Sequence, residues 1–166
     1  METWLAEAGW TLPSAAVAVR LISRLLSAAV FAAIVGMERE RRGMAAGLRT
    51  HMLVAVGCAV FTMIPMVADE GTIDPQVMSQ IVRGVASGIG FLGAGAILKL
   101  PEDRLIKGLT TAATIWLTAA IGVAAGAGKM WLALVAVLLS LVILVILRQA
   151  ERIWEPASEQ AKEEKT

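Results

Sequence analysis

The sequence predicts an all-α membrane protein, a polytopic bundle of about five transmembrane helices. The first observation is composition: 57% of the 166 residues are hydrophobic and only 17% are charged, whereas apolar residues make up nearer half of a soluble domain. The second is the positive mean hydropathy of +0.71. The third is a series of five apolar runs separated by charged residues, each close to the roughly 20 residues that cross ~30 Å of hydrocarbon as a helix.

Short polar connections separate the five runs. Ahead of the third run, Asp74 and Pro75 predict a helix start, because an acidic N-cap accepts free N–H groups and proline fits the first helical position. That helix is expected to begin before its membrane span. One transmembrane domain is predicted over residues 1–148, followed by a short charged tail at 149–166. The predicted spans are 15–36, 48–68, 81–98, 106–125 and 130–147.

Basic residues are concentrated in alternate connections, which predicts orientation because Lys and Arg near span ends are retained in the cytoplasm. The opposite side has Lys129 apart from arginines within span ends. The N-terminus is therefore expected outside and the C-terminus in the cytoplasm of a bacterial cell, with the chain in the cytoplasmic membrane. The basic residues on the predicted cytoplasmic side are Arg39, Arg41, Arg42, Arg49, Lys99, Arg104, Lys107, Arg148, Arg152, Lys162 and Lys165.

The third run is unusually rich in small residues. Gly84 and Gly88 have the GxxxG spacing that lets helix backbones approach closely. A narrow aliphatic stripe remains beside them, so this helix is expected to pack against neighbours on most sides, at the centre of the bundle. The alternative is a flexible or kinked glycine-rich helix, since glycine is common in membrane spans.

The fourth run places Thr111, Thr114, Thr118 and Gly122 on one helical face, in line with Lys107. This hydroxyl face is expected to contact protein rather than lipid. Its hydroxyls either bond to carbonyls of their own helix or contact a ligand. The residues predicted for the core of the bundle are Gly84, Gly88, Gly90, Gly93, Gly95, Thr110, Thr111, Thr114 and Trp116.

Three arginines lie near the predicted outer ends of spans: Arg20 and Arg24 on one face of the first, and Arg83 in the third. Ionisable groups at membrane depth usually pair or line a polar cavity. A charge cluster with Asp74 and with the acids at positions 69 and 70 is therefore predicted on this side. The alternative is that the arginines extend to the lipid headgroups.

At the predicted inner rim, two carboxylates are interspersed with arginines. The candidate functional residues there are Glu38, Arg39, Glu40, Arg49 and His51. Chelation of Mg²⁺ is disfavoured because a cation site needs clustered oxygens without so many competing cations. The alternatives are retention of topology, contact with anionic lipid headgroups and docking of a cytoplasmic partner.

Several motifs in order resemble the MgtC/SapB family of bacterial inner-membrane proteins, over about residues 21–147. They include Trp116 and the stretch 119–122 that follows it. The motifs are GMERE at 36–40, AGLRTH at 46–51, SGIGFLGAGAI at 87–97 and GLTTAA at 108–113.

The resemblance implies a membrane domain linked to growth at low magnesium, acid stress or intracellular survival. Family members are proposed to act on ATP synthase or on ion and phosphate homeostasis, and the resemblance implies the same targets for this chain. Longer members carry a soluble C-terminal domain, and this sequence resembles a short form without it. Functions that depend on that domain are therefore not implied here.

Two functions remain open, and the first is a non-enzymatic regulator that contacts another membrane protein. The second is a transporter or channel for Mg²⁺ or another ion, which is disfavoured because no Asp or Glu lies in the middle of a predicted span. An enzyme is not expected, because the sequence shows neither a nucleophile with a base nor a phosphate-binding loop. No cofactor or metal site is expected, because Cys58 and His51 are the only residues of their types. The lipid bilayer is an expected partner, and a homo-oligomer is a further possibility. Nucleic-acid binding is not expected, because aromatic residues that could stack on bases are scarce.

Overall fold

The computed structural model describes residues 14–68, 74–99 and 106–149. This part contains five helices that are long and apolar enough to cross a membrane, which confirms the predicted fold class. Orientation stays a prediction, and residues 150–166 of the predicted tail lie outside the described residues. The helices are α1 (Ala15–Arg41), α2 (Leu48–Ala68), α3 (Pro75–Ala96), α4 (Leu109–Gly126) and α5 (Met130–Leu141), and a π-helical segment (Val142–Leu147) continues the last.

Local sequence signals fix where α1 and α3 begin. The Ser14 hydroxyl accepts a hydrogen bond from the Val17 N–H at 3.4 Å. Asp74 caps α3 as predicted, because its Oδ1 accepts the Gln76 N–H at 2.7 Å and proline is the first helical residue. Both caps satisfy N–H groups that have no partner within their own helix.

A tight antiparallel hairpin connects α3 to α4. Strand β1 (Leu98–Lys99) pairs with β2 (Ile106–Lys107), so the predicted span boundaries at 98 and 106 belong to strands rather than helices. Gly108 follows with φ of 96°, and a Cβ there would collide with the Ala96 carbonyl oxygen. Glycine is required at this position by the left-handed backbone and by the close approach of the segment that ends α3.

Helix α4 is the centre of the bundle, and the prediction that α3 holds this place is wrong. Half of the α4 span is buried, against 11% of the α3 span. Helices α1, α2, α3 and α5 all pack on α4. Close contact with α2 depends on Gly122 and Gly126, where an added Cβ would lie 2.7 Å from Ala55 Cα and 2.8 Å from Ala59 Cα.

Helix α3 turns its aliphatic side and the buried Gly93 inward, and its other glycines outward. Ile89 is buried, and Val85 and Ala96 pack beside it in the core. Gly93 is in ordinary contact with Ala112, where the distance from an added Cβ would be 3.6 Å. The longer side chains make more van der Waals contacts than glycine and therefore favour this inward face. The predicted core positions Gly84, Gly88, Gly90 and Gly95 have no neighbour within 4 Å among the described residues.

Candidate functional site

The two rim motifs meet where the end of α1 crosses the start of α2. A Cβ on Gly36 would lie 2.9 Å from Leu48 Cα and 3.0 Å from His51 Cβ. These distances mean that the helices touch through backbone, which only a glycine permits. The crossing brings the 36–40 motif against the 46–51 motif.

Glu38 holds two arginines at this crossing. Arg39 is 2% exposed, and its Nε donates to Glu38 Oε2 at 2.6 Å. Arg42 forms an ion pair with the other carboxylate oxygen, one helical turn later. A charge this deeply buried is tolerated when it is paired and hydrogen-bonded. Oε2 therefore accepts a hydrogen bond, whereas Oε1 lies within ion-pair distance of Arg42 but has no hydrogen-bond partner among the described residues.

Glu40 caps the next helix. Its Oε2 accepts the backbone N–H of Leu48 at 2.7 Å. A carboxylate is favourable there because free N–H groups and the helix dipole give the start of α2 a positive potential. Gly47 makes room for it, since an added Cβ would lie 2.8 Å from the same oxygen.

His51 is completely buried beneath this cap, with 0% exposure. Its Nδ1 donates to the Gly47 carbonyl oxygen at 2.8 Å, because a carbonyl can only accept. Nε2 has no hydrogen-bond partner among the described residues. The crossing thus brings together Glu38, Arg39, Glu40 and His51, whereas the Arg49 side chain is exposed.

The threonine face of α4 faces protein, as predicted. Thr111, Thr114 and Thr118 are all buried. Thr114 Oγ1 donates to the Thr111 carbonyl at 2.8 Å, which supports the structural alternative for that hydroxyl. Thr118 Oγ1 is buried and has no partner among the described residues.

Thr118 and His51 lie at the same level of the bundle. Residue 122 of α4 lies against residue 55 of α2, and residue 126 lies against residue 59. The two helices therefore run in the same direction, and one turn back along each of them reaches positions 118 and 51. The spacing of the threonines predicts their common face on α4. It does not predict that His51 lies at the level of Thr118, because this depends on how two helices distant in sequence align.

Two other predicted core residues are not in the core. Thr110 is exposed, and Trp116 is 54% exposed on the surface between α3 and α4. Trp116 instead lines an apolar groove there, beside Val82 of α3 and Leu132 of α5. The prediction failed because motif membership does not tell which side of a helix is buried.

At the opposite end, Arg24 binds the end of α4. Its Nη1 donates to the Gly126 carbonyl at 2.9 Å and lies 2.9 Å from Met66 Sδ. Carbonyls at a helix C-terminus lack partners in their own helix and attract cations. A sequence signal existed in Gly126 and Gly128, which mark a helix end.

The predicted outer charge cluster is not formed by the described residues. Asp74 serves as the α3 cap, and Arg20 and Arg83 are exposed. The acids at positions 69 and 70 lie outside the described residues. Among the described residues, Arg24 has carbonyl and sulfur contacts in place of the expected carboxylate.

Comparison with known proteins agrees with the family resemblance of the sequence motifs. The chain matches the MgtC family over residues 25–153. It is 43% identical to protein SrpB of Synechococcus elongatus over 138 residues, which are 78% of this chain and 76% of that protein. No solved structure matches.

Two further relatives are longer. Protein MgtC of Salmonella typhimurium (strain LT2) is 43% identical over 129 residues, 78% of this chain and 53% of that protein. The Escherichia coli (strain K12) protein named "Putative magnesium transporter YhiD" is 41% identical over 135 residues, 77% of this chain and 60% of that protein. The match therefore spans little more than half of each of these two relatives. With a family match over most of its length and five membrane-spanning helices, the chain belongs to the MgtC family of multi-pass membrane proteins.

Proposed function

We propose that the protein is a non-enzymatic regulator of magnesium, phosphate or ATP homeostasis that acts by contact with another membrane protein. It would lie in the bacterial cytoplasmic membrane. One observation carries the proposal: α3 presents a glycine face, formed by Gly84, Gly88 and Gly95 on one side of the helix, that no other described residue covers.

A glycine face toward lipid has no benefit for the isolated chain. Each glycine weakens a helix by about 1 kcal/mol relative to alanine. In membranes, small residues stabilise helix pairs because they let the two backbones approach. Three glycines along one exposed side are therefore typical of a surface that contacts another helix.

A groove beside the glycine face has the shape for such a contact. It has a volume of about 560 Å³ and lies between α2 and α3. Gly84 and Gly88 form part of its wall, with Phe61 of α2 opposite. Phe91 lies on this same side of α3, between Gly88 and Gly95, and its side chain is 83% exposed. An apolar groove with a knob beside it fits a transmembrane helix of a partner.

The relatives support the setting of this function rather than its mechanism. The name of the YhiD relative refers to magnesium transport. Because this chain covers little more than half of that protein, the link to magnesium is part of the proposal. The family resemblance makes ATP synthase the first partner to test.

Ion transport is the second candidate, and the buried polar level of His51 and Thr118 favours it. Both groups have a polar atom without a partner among the described residues. A divalent cation needs several oxygen ligands along its path. The rim carboxylates are poor candidates, since Glu38 binds two arginines and Glu40 binds a backbone N–H.

The glycine face is tested by Gly88→Leu, with Gly57→Leu as a matched control. Gly57 of α2 also has no neighbour within 4 Å among the described residues, so both variants are expected to fold. Growth at low magnesium and crosslinking to a membrane partner should be lost for Gly88→Leu and kept for Gly57→Leu. Equal growth and equal crosslinking of the two variants would contradict the proposal that the protein regulates a partner through the glycine face.

Flux separates the two candidates. Purified protein in proteoliposomes, with a membrane potential imposed, should give no saturable Mg²⁺ uptake above that of empty liposomes. Saturable uptake that Thr118→Val abolishes, in a variant that remains folded, would make the protein a transporter.

A further inference from the structure

A small cavity lies where α1 and the last helix end side by side. Its volume is about 180 Å³, and it is lined by Arg42, Val145, Arg148 and Gln149. Arg42 is the C-cap that directly follows α1, and Arg148 directly follows the π-helical segment. Neither the regulator nor the transporter proposal uses this cavity.

The cavity is rich in hydrogen-bond donors. Arg42 binds Glu38 through its Nε, which leaves the two terminal amino groups of the guanidinium for another acceptor. Arg148 is half-buried and has no carboxylate within ion-pair distance among the described residues. Glu38 offsets one of the three positive charges of Arg39, Arg42 and Arg148, so the described residues around the cavity carry a net positive charge. Planar guanidinium groups bind phosphate oxygens through paired hydrogen bonds.

The position of the cavity matches the headgroup level of a membrane. Exposed apolar side chains continue along α1 as far as Met37 and along the last helix as far as Leu147. Arginines follow immediately on both helices. The wall contributed by Val145 is apolar, so one side of the cavity suits the uncharged part of a lipid and the other suits its phosphate.

The π-helical segment sets the direction of the donors. Such segments are rare and often occur at functional sites. Six residues of π-helix change the rotation of Arg148 and Gln149 about the helix axis relative to a continued α-helix. The last helix contributes three residues to the cavity: Val145 lies within the irregular segment, and Arg148 and Gln149 follow directly after it.

We propose that this cavity binds the phosphate group of an anionic phospholipid. Free inorganic phosphate shares the chemistry that the arginines recognise. The lipid is favoured because the cavity is at headgroup level and has an apolar wall. Bound lipid would hold the end of the last helix against α1, on the predicted cytoplasmic side.

The test is native mass spectrometry of the full chain in detergent, titrated with phosphatidylglycerol. The variants are Arg148→Gln, which leaves the Glu38 ion pairs intact, and the double variant Arg42→Gln/Arg148→Gln. The matched control is Arg41→Gln/Arg49→Gln, which removes two exposed arginines of the same rim. Diacylglycerol, which has the same chains without phosphate, and millimolar inorganic phosphate are the further probes.

The double variant should bind phosphatidylglycerol at least about tenfold more weakly, because charge-assisted hydrogen bonds are lost. Arg148→Gln alone should give part of that loss. The control should change binding by less than about threefold, since distant surface charges are screened. Diacylglycerol should bind weakly to every form.

Equal losses in the double variant and the control would overturn the proposal, because general surface charge would then explain binding. Inorganic phosphate that binds with the same arginine dependence while phosphatidylglycerol does not would overturn the lipid as the source. Failure of this site would leave the glycine-face proposal untouched, since that depends on α3.

Discussion

Exchanging one glycine on α4 and one on α3 for alanine should have opposite effects on stability. At Gly122, an added Cβ would collide with the Ala55 carbonyl oxygen and lie 2.7 Å from Ala55 Cα and 2.9 Å from its carbonyl carbon. At Gly88, the same Cβ would meet nothing within 4 Å among the described residues. The two positions therefore give a matched pair, one central and one at the surface.

The magnitude follows from the geometry. Backbone atoms of Ala55 cannot rotate away, and nonbonded carbon atoms are most stable about 3.5–4.0 Å apart. Helices α2 and α4 must therefore separate by roughly 1 Å, and overpacking of this kind costs about 1–3 kcal/mol. Alanine recovers about 1 kcal/mol of helix propensity at either site. Gly122→Ala should then lower the free energy of unfolding by up to about 2 kcal/mol, and Gly88→Ala should leave it unchanged or raise it by up to about 1 kcal/mol.

Reversible unfolding in mixed micelles, with increasing SDS and followed by circular dichroism, measures this difference. The reasoning would be refuted if the two variants unfold at the same SDS fraction, or if Gly88→Ala is the less stable. Gly126→Ala provides a replicate, since its Cβ would lie 2.7 Å from the Ala59 carbonyl oxygen.

Three further substitutions test single contacts by the same unfolding measurement. Arg24→Met should cost about 1–2 kcal/mol, because the Gly126 carbonyl loses a charged donor; no change would mean that this bond is replaced by water. Glu40→Ala should cost about 1 kcal/mol through loss of the cap on the Leu48 N–H, and an unchanged midpoint would argue against that cap. Thr118→Val should be neutral or stabilising by about 1 kcal/mol, since it removes a buried hydroxyl that has no hydrogen-bond partner in the described part of the chain; a loss above about 1 kcal/mol would indicate that the hydroxyl is bonded.

The number of helices and most of their limits could be predicted because they depend on local composition. Apolar runs must be helical in a membrane, where each backbone polar group needs a partner within its own segment. The Asp74 cap was predicted for the same reason, since it involves residues two positions apart. The threonine face of α4 followed from spacing alone.

The packing order of the helices could not be predicted from the glycine content. Gly84 and Gly88 share the four-residue spacing of Gly122 and Gly126. That spacing indicates a possible close contact but not which helix makes it. The second pair packs on α2, whereas a Cβ added to either glycine of the first pair would meet no other described residue within 4 Å.

The partner of Arg24 was missed for a related reason. The sequence offered carboxylates nearby, but the arginine binds a carbonyl 102 positions away. Gly126 and Gly128 mark the helix end that provides the acceptor, but they do not indicate which side chain reaches it. Such contacts depend on the position of the α4 terminus, which is a property of the assembled bundle.

The different use of the two glycine pairs separates folding from function in this chain. Gly122 and Gly126 are needed for α2 and α4 to touch, so substitutions there should reduce the amount of folded protein. Gly84 and Gly88 make no such contact within the described ranges, so substitutions there should leave the amount of folded protein unchanged. If α3 binds a partner, those same substitutions abolish activity in protein that is otherwise normal. The glycine face lowers the stability of α3 and makes no close contact within the described fold. Contact with a partner is the best explanation for it.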